Sequence, residues 1–341
     1  MAAGVLAAGE APKVVAGRMR FALVVILLVG ARAPAADDYP VKPVRVVVPY
    51  PAGGVVDALM RSVGLQMAES IRQPVIVDNR PGANTIIALE LCARAAPDGY
   101  TLCTSSTDGM SYNPHLYPRL PYDPGRDFAP ITQLVWVNGI IVANSSVPYD
   151  TVKDMVAYAR SRPGAVNFAS FGVGSTPQFF LEWFKKQGRA EIGHVPYKGS
   201  AQIIPALIAG EVQATFIAVG IVLPLIKAGK LKALAMTTPL RSPVLPNVST
   251  LAEQGLDPGL NNWFGVFAPA RTPKAIIDRL NAEFVKVVRD ARFQEQFLKA
   301  QVYDPVGNTP AEFAAFLKAD RDNARQVIAR TGVRLEHVPG N

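Results

Sequence analysis

Twice in this 341-residue chain a short apolar run ends in a turn of small residues and a helical pattern starts at once. The first instance is "VVVPYPAGGVVD", Val46 to Asp57. The second is "VNFASFGVGSTPQFFLEWFKK", Val166 to Lys186. A strand, a tight loop and a helix start set unpartnered helix amides at the carboxyl end of a strand, which is the layout of an anion-binding loop. Neither loop carries the lysine that a nucleotide site of this kind uses. The anion expected here is one that neutral donors can hold.

The rest of the pattern is that of an α/β fold. Strands are expected at Val44–Pro49, Pro74–Asn79 and Tyr100–Ser105, and helices at Asp57–Ser70 and Thr85–Ala95, a β-α-β-α-β unit. The near-continuous apolar run at Pro74–Asn79 predicts a parallel strand covered on both faces. A β-rich passage, Ala129–Ser146, carries the chain into a second unit. That unit has a helix capped by Asp150 or Thr151, the strand–loop–helix of Val166–Lys186, a helix at Ser200–Ala209, a strand at Ala214–Ala218 and a helix at Leu223–Lys227. "WFGVFAPA", Trp263–Ala270, is the return crossing. Thr272-Pro273 opens one further helix, and Thr309-Pro310 with Glu312 reads as a capping box opening another; both are expected to pack back on the first unit. Two crossings suit hinge closure.

At the N-terminus Arg18 and Arg20 precede ten apolar residues, Phe21–Gly30, and then Ala33-Pro34-Ala35. This is the order of a secretory signal peptide cut near Ala35, with residues 1–17 as an upstream extension; the apolar run is about half of what a bilayer span needs. Removing residues 1–35 takes away Lys13, Arg18, Arg20, Arg32 and Glu10, so the net charge falls from +8 to +5. The remaining basic residues are scattered, which gives nucleic-acid binding no support. A disulfide between Cys92 and Cys103 is permitted outside the cytoplasm, and a turn at Pro97-Asp98-Gly99 lies between them. Their apolar settings favour two buried thiols instead.

Signs of catalysis are thin. No Walker loop, dinucleotide fingerprint or nucleophile elbow is present. His115, His194 and His337 lie in separate contexts without metal-ligand spacing. No cofactor and no metal are expected. The chain offers instead hydroxyl- and glycine-rich loops at strand ends, where open α/β sheets bind ligands. For either loop alone a plain connecting turn is as good an account; two matching starts in an exported chain favour binding.

The segments "YPVKPVRVVVPYPAGGVVD", "PVIVDNRPGA", "AAPDGYTL", "NPHLYPRLPYDPGRDFAPI", "HVPYKGS" and "IKAGKLKALAMTT", in this order from about Tyr39 to Glu336, resemble the tripartite tricarboxylate transporter receptor family, the Bug-type solute-binding proteins. The resemblance implies a type II periplasmic binding-protein fold with two doubly wound domains joined by a two-strand hinge. The expected boundaries are a signal peptide at 1–35, domain one at 36–137 plus 265–341, and domain two at 138–264. It implies a periplasmic monomer, not an enzyme, that captures a small di- or tricarboxylate or aromatic acid and delivers it to separate membrane permease subunits. The alternatives are a receptor relaying the same pocket to a membrane sensor and an exported α/β hydrolase. Carried over residue by residue, the ligand is held by Tyr50, Pro51, Ala52, Gly53, Gly54 and Asp57 on one side, with Asn84. Ser170, Gly174, Ser175, Thr176 and Gln178 hold it on the other, and Ser105, Ser106, Thr107 and Tyr197-Lys198-Gly199 line the remaining wall. Here the chain has Val55-Val56 where relatives have a glycine and a threonine, Asn84-Thr85-Ile86-Ile87 where many have a run of glycines, Gln178 for a histidine, and no aspartate in Phe216–Gly220. The expected ligand is therefore a more apolar acid without an amino group, and tight calorimetric binding of glutamate or aspartate would refute that.

Overall fold

The structure, a computed structural model, describes residues 39–333. The signal peptide expected at 1–35 and His337 lie outside these residues. The strands are β1 Val44–Val48, β2 Val75–Asn79, β3 Thr101–Ser106, β4 Phe128–Val137, β5 Gly139–Asn144, β6 Asn167–Ser170, β7 Gly193–Pro196, β8 Ala214–Ala218, β9 Leu231–Met236, β10 Trp263–Pro269 and β11 Tyr303–Pro305. The helices are α1 Val55–Ile71, α2 Ile86–Ala93, α3 Asn113–Leu116, α4 Val152–Ser161, α5 Thr176–Gly188, α6 Ser200–Ala209, α7 Val219–Lys227, α8 Lys274–Arg289, α9 Ala291–Phe293 and α10 Pro310–Thr331. A π-helical turn, Asp108–Tyr112, joins β3 to α3.

Two sheets form within one compact unit, with strand orders β11-β4-β10-β3-β1-β2 and β7-β6-β8-β5-β9. In the first, β1 runs parallel to β2 and β3, while β10 inserts antiparallel between β3 and β4. In the second, β6 runs parallel to β7 and β8, while β5 lies antiparallel between β8 and β9. Each antiparallel insert is the strand by which the chain has just crossed from the other sheet. The crossings touch, because Val137 donates its amide to the Asn262 carbonyl at 2.9 Å. Gly139, the first residue past the crossing, leaves the space that the Phe216 ring fills; a β-carbon there would collide with it.

Both sheets are covered on both faces, as parallel strands require. Leu59, Met60 and Val63 of α1 and Leu280 and Phe284 of α8 pack under the first sheet, and α2 and α10 cover its other face through Leu89, Phe313 and Leu317. The second sheet lies between α4 and α5 on one side and α6 and α7 on the other. Strand β2 departs from expectation. It forms the edge of its sheet, and Ile76 is 50% exposed, so its apolar run reflects one covered face only. Strands β7, β9 and β11 and the short helices α3 and α9 were not legible, and α7 starts four residues ahead of the expected Leu223. The capping box at Thr309 and Glu312 forms as expected. Helix α10 packs on the first sheet but also reaches α5, since Ala324 and Val327 share a core with Phe179 and Phe180.

The expectation of free thiols is corrected: Cys92 and Cys103 are joined in a disulfide with a Cα–Cα separation of 6.0 Å. Both cysteines are buried, as their apolar settings require. The turn between them lays α2 on β3, and this tertiary contact, absent from the local pattern, brings the sulfurs together. Replacing both by alanine is expected to lower unfolding free energy by about 2–3 kcal/mol, the entropy of a short closed loop, measured by denaturant titration with and without reductant on the wild type.

The start of α1 is held by Asp57. Its carboxylate accepts the Gly53 amide at 2.9 Å and the Arg61 guanidinium at 3.0 Å, and Arg61 also reaches Asn79. Burial alone would raise the Asp57 pKa, but these donors outweigh it and hold the carboxyl below its ordinary 3.8. A depressed acid stabilises the fold above its unfolded pKa and loses that contribution as pH falls through its folded value. Asp57→Asn is expected to cost about 1–2 kcal/mol at pH 7. In urea titrations across pH the gap to wild type should close below about pH 4.

Candidate functional site

Three helices of the two sheets begin at one cleft. Gly54, Val55 and Val56 at the start of α1 face Gly199, Ser200 and Ala201 at the start of α6. The approach is close: a β-carbon on Gly199 would lie 3.4 Å from Pro51, and one on Gly54 would lie 3.9 Å from the Ser200 hydroxyl. The first amides of each helix have no carbonyl one turn back, so two positive helix ends point at the same space. The third helix, α5, contributes Thr176, and the aromatic rings of Phe171, Phe216 and Phe264 form apolar walls.

Of the residues expected to bind, Tyr50, Pro51, Gly54, Ser106 and Thr176 line this cleft. Tyr50 and Ser106 hydrogen-bond each other at 2.9 Å, and burial keeps the Tyr50 phenol well above its ordinary pKa, a neutral donor. The others are placed elsewhere or already engaged. Ala52 and Gly53 are exposed, and the Gly53 amide is taken by Asp57. Ser105 is fully buried behind the wall, and Thr107 donates to the Asn261 carbonyl. Ser170 bonds His194 at 2.6 Å, Ser175 donates to the Gly172 carbonyl, and the Gly174 amide donates to Gln178 at 2.6 Å. These three bonds shape the turn that enters α5. Asn84 donates to Asn113 and to the Gly174 carbonyl, which ties the first sheet's loops to the second's. Tyr197 packs in the core beside α6, while its neighbour Gly199 reaches the cleft.

Four polar or small residues of the cleft, besides Phe264 in its wall, were not anticipated from the sequence. Ser200 and Ala201 open α6 there, and Asn262 enters from the return crossing. The fourth is Asp108, 4% exposed, which projects from the π-turn after β3. One of its oxygens, Oδ1, accepts both the Thr176 hydroxyl at 2.6 Å and the Thr176 amide at 3.1 Å. The amide at the start of α5 is therefore occupied by an acid of the chain itself. Burial pushes the Asp108 carboxyl up to about 6, and the two Thr176 bonds offset only part of that rise. Phe216–Gly220 carries no acid, and Asp57, the acid expected at the site, is engaged by Gly53 and Arg61; the acid lining the cleft comes from a different segment. Its only local signal was an aspartate directly following the hydroxyl run Ser105–Thr107.

Among the described residues no cluster of histidine, cysteine, aspartate and glutamate could hold a metal ion, and no helix is long and apolar enough to cross a membrane. The arrangement holds helix amides, hydroxyls and apolar walls, a set of groups that grips an anion.

Comparison with known proteins agrees with this geometry. The model of the tripartite tricarboxylate transporter family receptor matches residues 59–333. BugT of Bordetella pertussis is 34% identical over 314 residues, which cover 91% of this chain and 96% of BugT. A protein from the tcbD-tcbE intergenic region of Pseudomonas sp. strain P51 is 35% identical over 299 residues, covering 87% and 88%. Among solved structures, the periplasmic binding protein BugD superposes with a TM-score of 0.81 at 30% identity, covering 87% of this chain and 99% of that one. Rpa4515 of R. palustris, solved with adipate, gives 0.82 at 31% identity and covers 87% and 99%. MatC of Rhodopseudomonas palustris, solved with malate, gives 0.79 at 28% identity and covers 85% and 100%. With its two doubly wound lobes and paired crossings, the chain belongs to the tripartite tricarboxylate transporter receptor family, a family of solute-binding receptors and not of enzymes.

Proposed function

We propose that this chain is exported, loses its signal peptide near Ala35, and works in the periplasm as a monomeric receptor. It captures a small carboxylate between domain one (36–137 and 265–341) and domain two (138–264), then delivers it to separate membrane permease subunits. The observation that carries this reading is the meeting of α1 and α6, whose amino ends face each other across one apolar-walled cleft. Two helix ends supply donors and partial positive charge without a lysine, so the seat suits a carboxylate and releases it readily. The paired crossings at Asn138 and Asn262 give the two lobes a hinge. Family membership, and relatives solved with adipate and with malate, point to the same ligand class.

A panel of carboxylates tested by thermal shift on the secreted chain is expected to yield a few related acids that raise the midpoint. A ligand bound only by the folded state adds about 2.7 kcal/mol at a hundredfold excess over its dissociation constant. Ser200→Ala removes a hydroxyl at the α6 end and is expected to weaken the best acid roughly tenfold by calorimetry, the loss of one hydrogen bond to a charged group. Uptake of that acid by cells should require both this chain and a permease. A panel with no stabilising acid, run on protein freed of carried-over ligand, would count against the reading.

A further inference from the structure

Three helix starts point at the cleft, but only two are open. The third, α5, is thirteen residues long and is capped across the cleft by Asp108, which the first sheet's π-turn supplies. Both hydrogen bonds converge on Oδ1, and Asp108 itself forms part of the cleft wall. Among the described residues no lysine or arginine pairs with this buried carboxyl; the titratable groups near it are the phenols of Tyr50, Tyr112, Tyr117 and Tyr122. The cleft that holds Asp108 is also lined by the apolar side chains of Val55, Val56, Phe171, Phe216 and Phe264.

Resting on the carboxylate reading above, we propose that Asp108 is a built-in second carboxylate: it restricts the cleft to ligands with one carboxylate on an apolar body and excludes dicarboxylates. The ligand's carboxylate sits between the starts of α1 and α6, and its apolar body lies against the phenylalanines. A second ligand carboxylate at the α5 end would meet donors already spent on Asp108. It would also meet a like charge in a poorly screened space, where repulsion over a few ångströms outweighs a hydrogen bond.

The test uses calorimetry on the secreted chain with matched pairs: butyrate and succinate, hexanoate and adipate, benzoate and terephthalate. In whichever pair binds most tightly, the monoacid is expected to bind wild type about tenfold or more tightly than the diacid. Asp108→Asn keeps the shape and removes the charge. It is expected to move the ratio toward the diacid by about tenfold or more. Asp108→Ala serves if that variant does not fold, judged by circular dichroism; if neither folds, the wild-type ratio decides. A wild type that binds a diacid as well as its monoacid partner overturns the proposal and leaves the carboxylate reading standing. So does a folded variant with an unchanged ratio. Binding of no acid from any pair overturns the carboxylate reading and this proposal with it.

Discussion

Parallel strands can pair only if the chain is carried back between them, and in this molecule helices do the carrying. Each such helix begins where a strand ends, so its free amides gather at the carboxyl edge of the sheet. That constraint places α1 after β1, α5 after β6 and the start of α6 just beyond β7. The two sheets present these edges to one another, and the cleft is the space between them. The site is thus a consequence of strand pairing, and its donors are largely backbone.

The backbone origin of the donors explains why so much of the nearby side-chain chemistry is structural. Asp57 holds the Gly53 turn, Gln178 holds Gly174, and His194 holds Ser170. Such side chains keep loops in position so that amides can face a ligand. Asn84 and Asp108 do something further, since each bonds a residue of the opposite sheet's α5 entry. They add polar contacts between the lobes to the apolar core that α10 and Tyr112 share with α5.

The first strand–loop–helix shows how far local pattern carries. Alternation of apolar runs and helical faces located β1, α1, β8 and α6 to within a residue or two, because those periods follow from which face is buried. It misjudged β2, since a strand of valine and isoleucine reads alike at the centre and the edge of a sheet. It passed over β7 and β9, whose short runs lack a distinguishing period. At the site, Tyr50, Pro51, Gly54, Ser106 and Thr176 were legible from loop composition. Ser170 and Ser175 were chosen by the same signal, yet their hydroxyls are engaged by His194 and Gly172, because a turn's sequence does not tell which of its polar groups the surrounding chain consumes.

By itself the sequence determined the α/β class, the two crossings, the glycine loops without lysine and the family, all of which rest on local periodicity, turn chemistry and ordered motifs. Only the tertiary structure decided that Cys92 meets Cys103, that α6 opposes α1, and that Asp108 occupies the amide of Thr176. Asp108 and Thr176 lie 68 positions apart, one in the turn after β3 and the other at the start of α5. No local rule links residues so distant, and their pairing exists because both ends of the cleft are built from strands that the fold brings edge to edge.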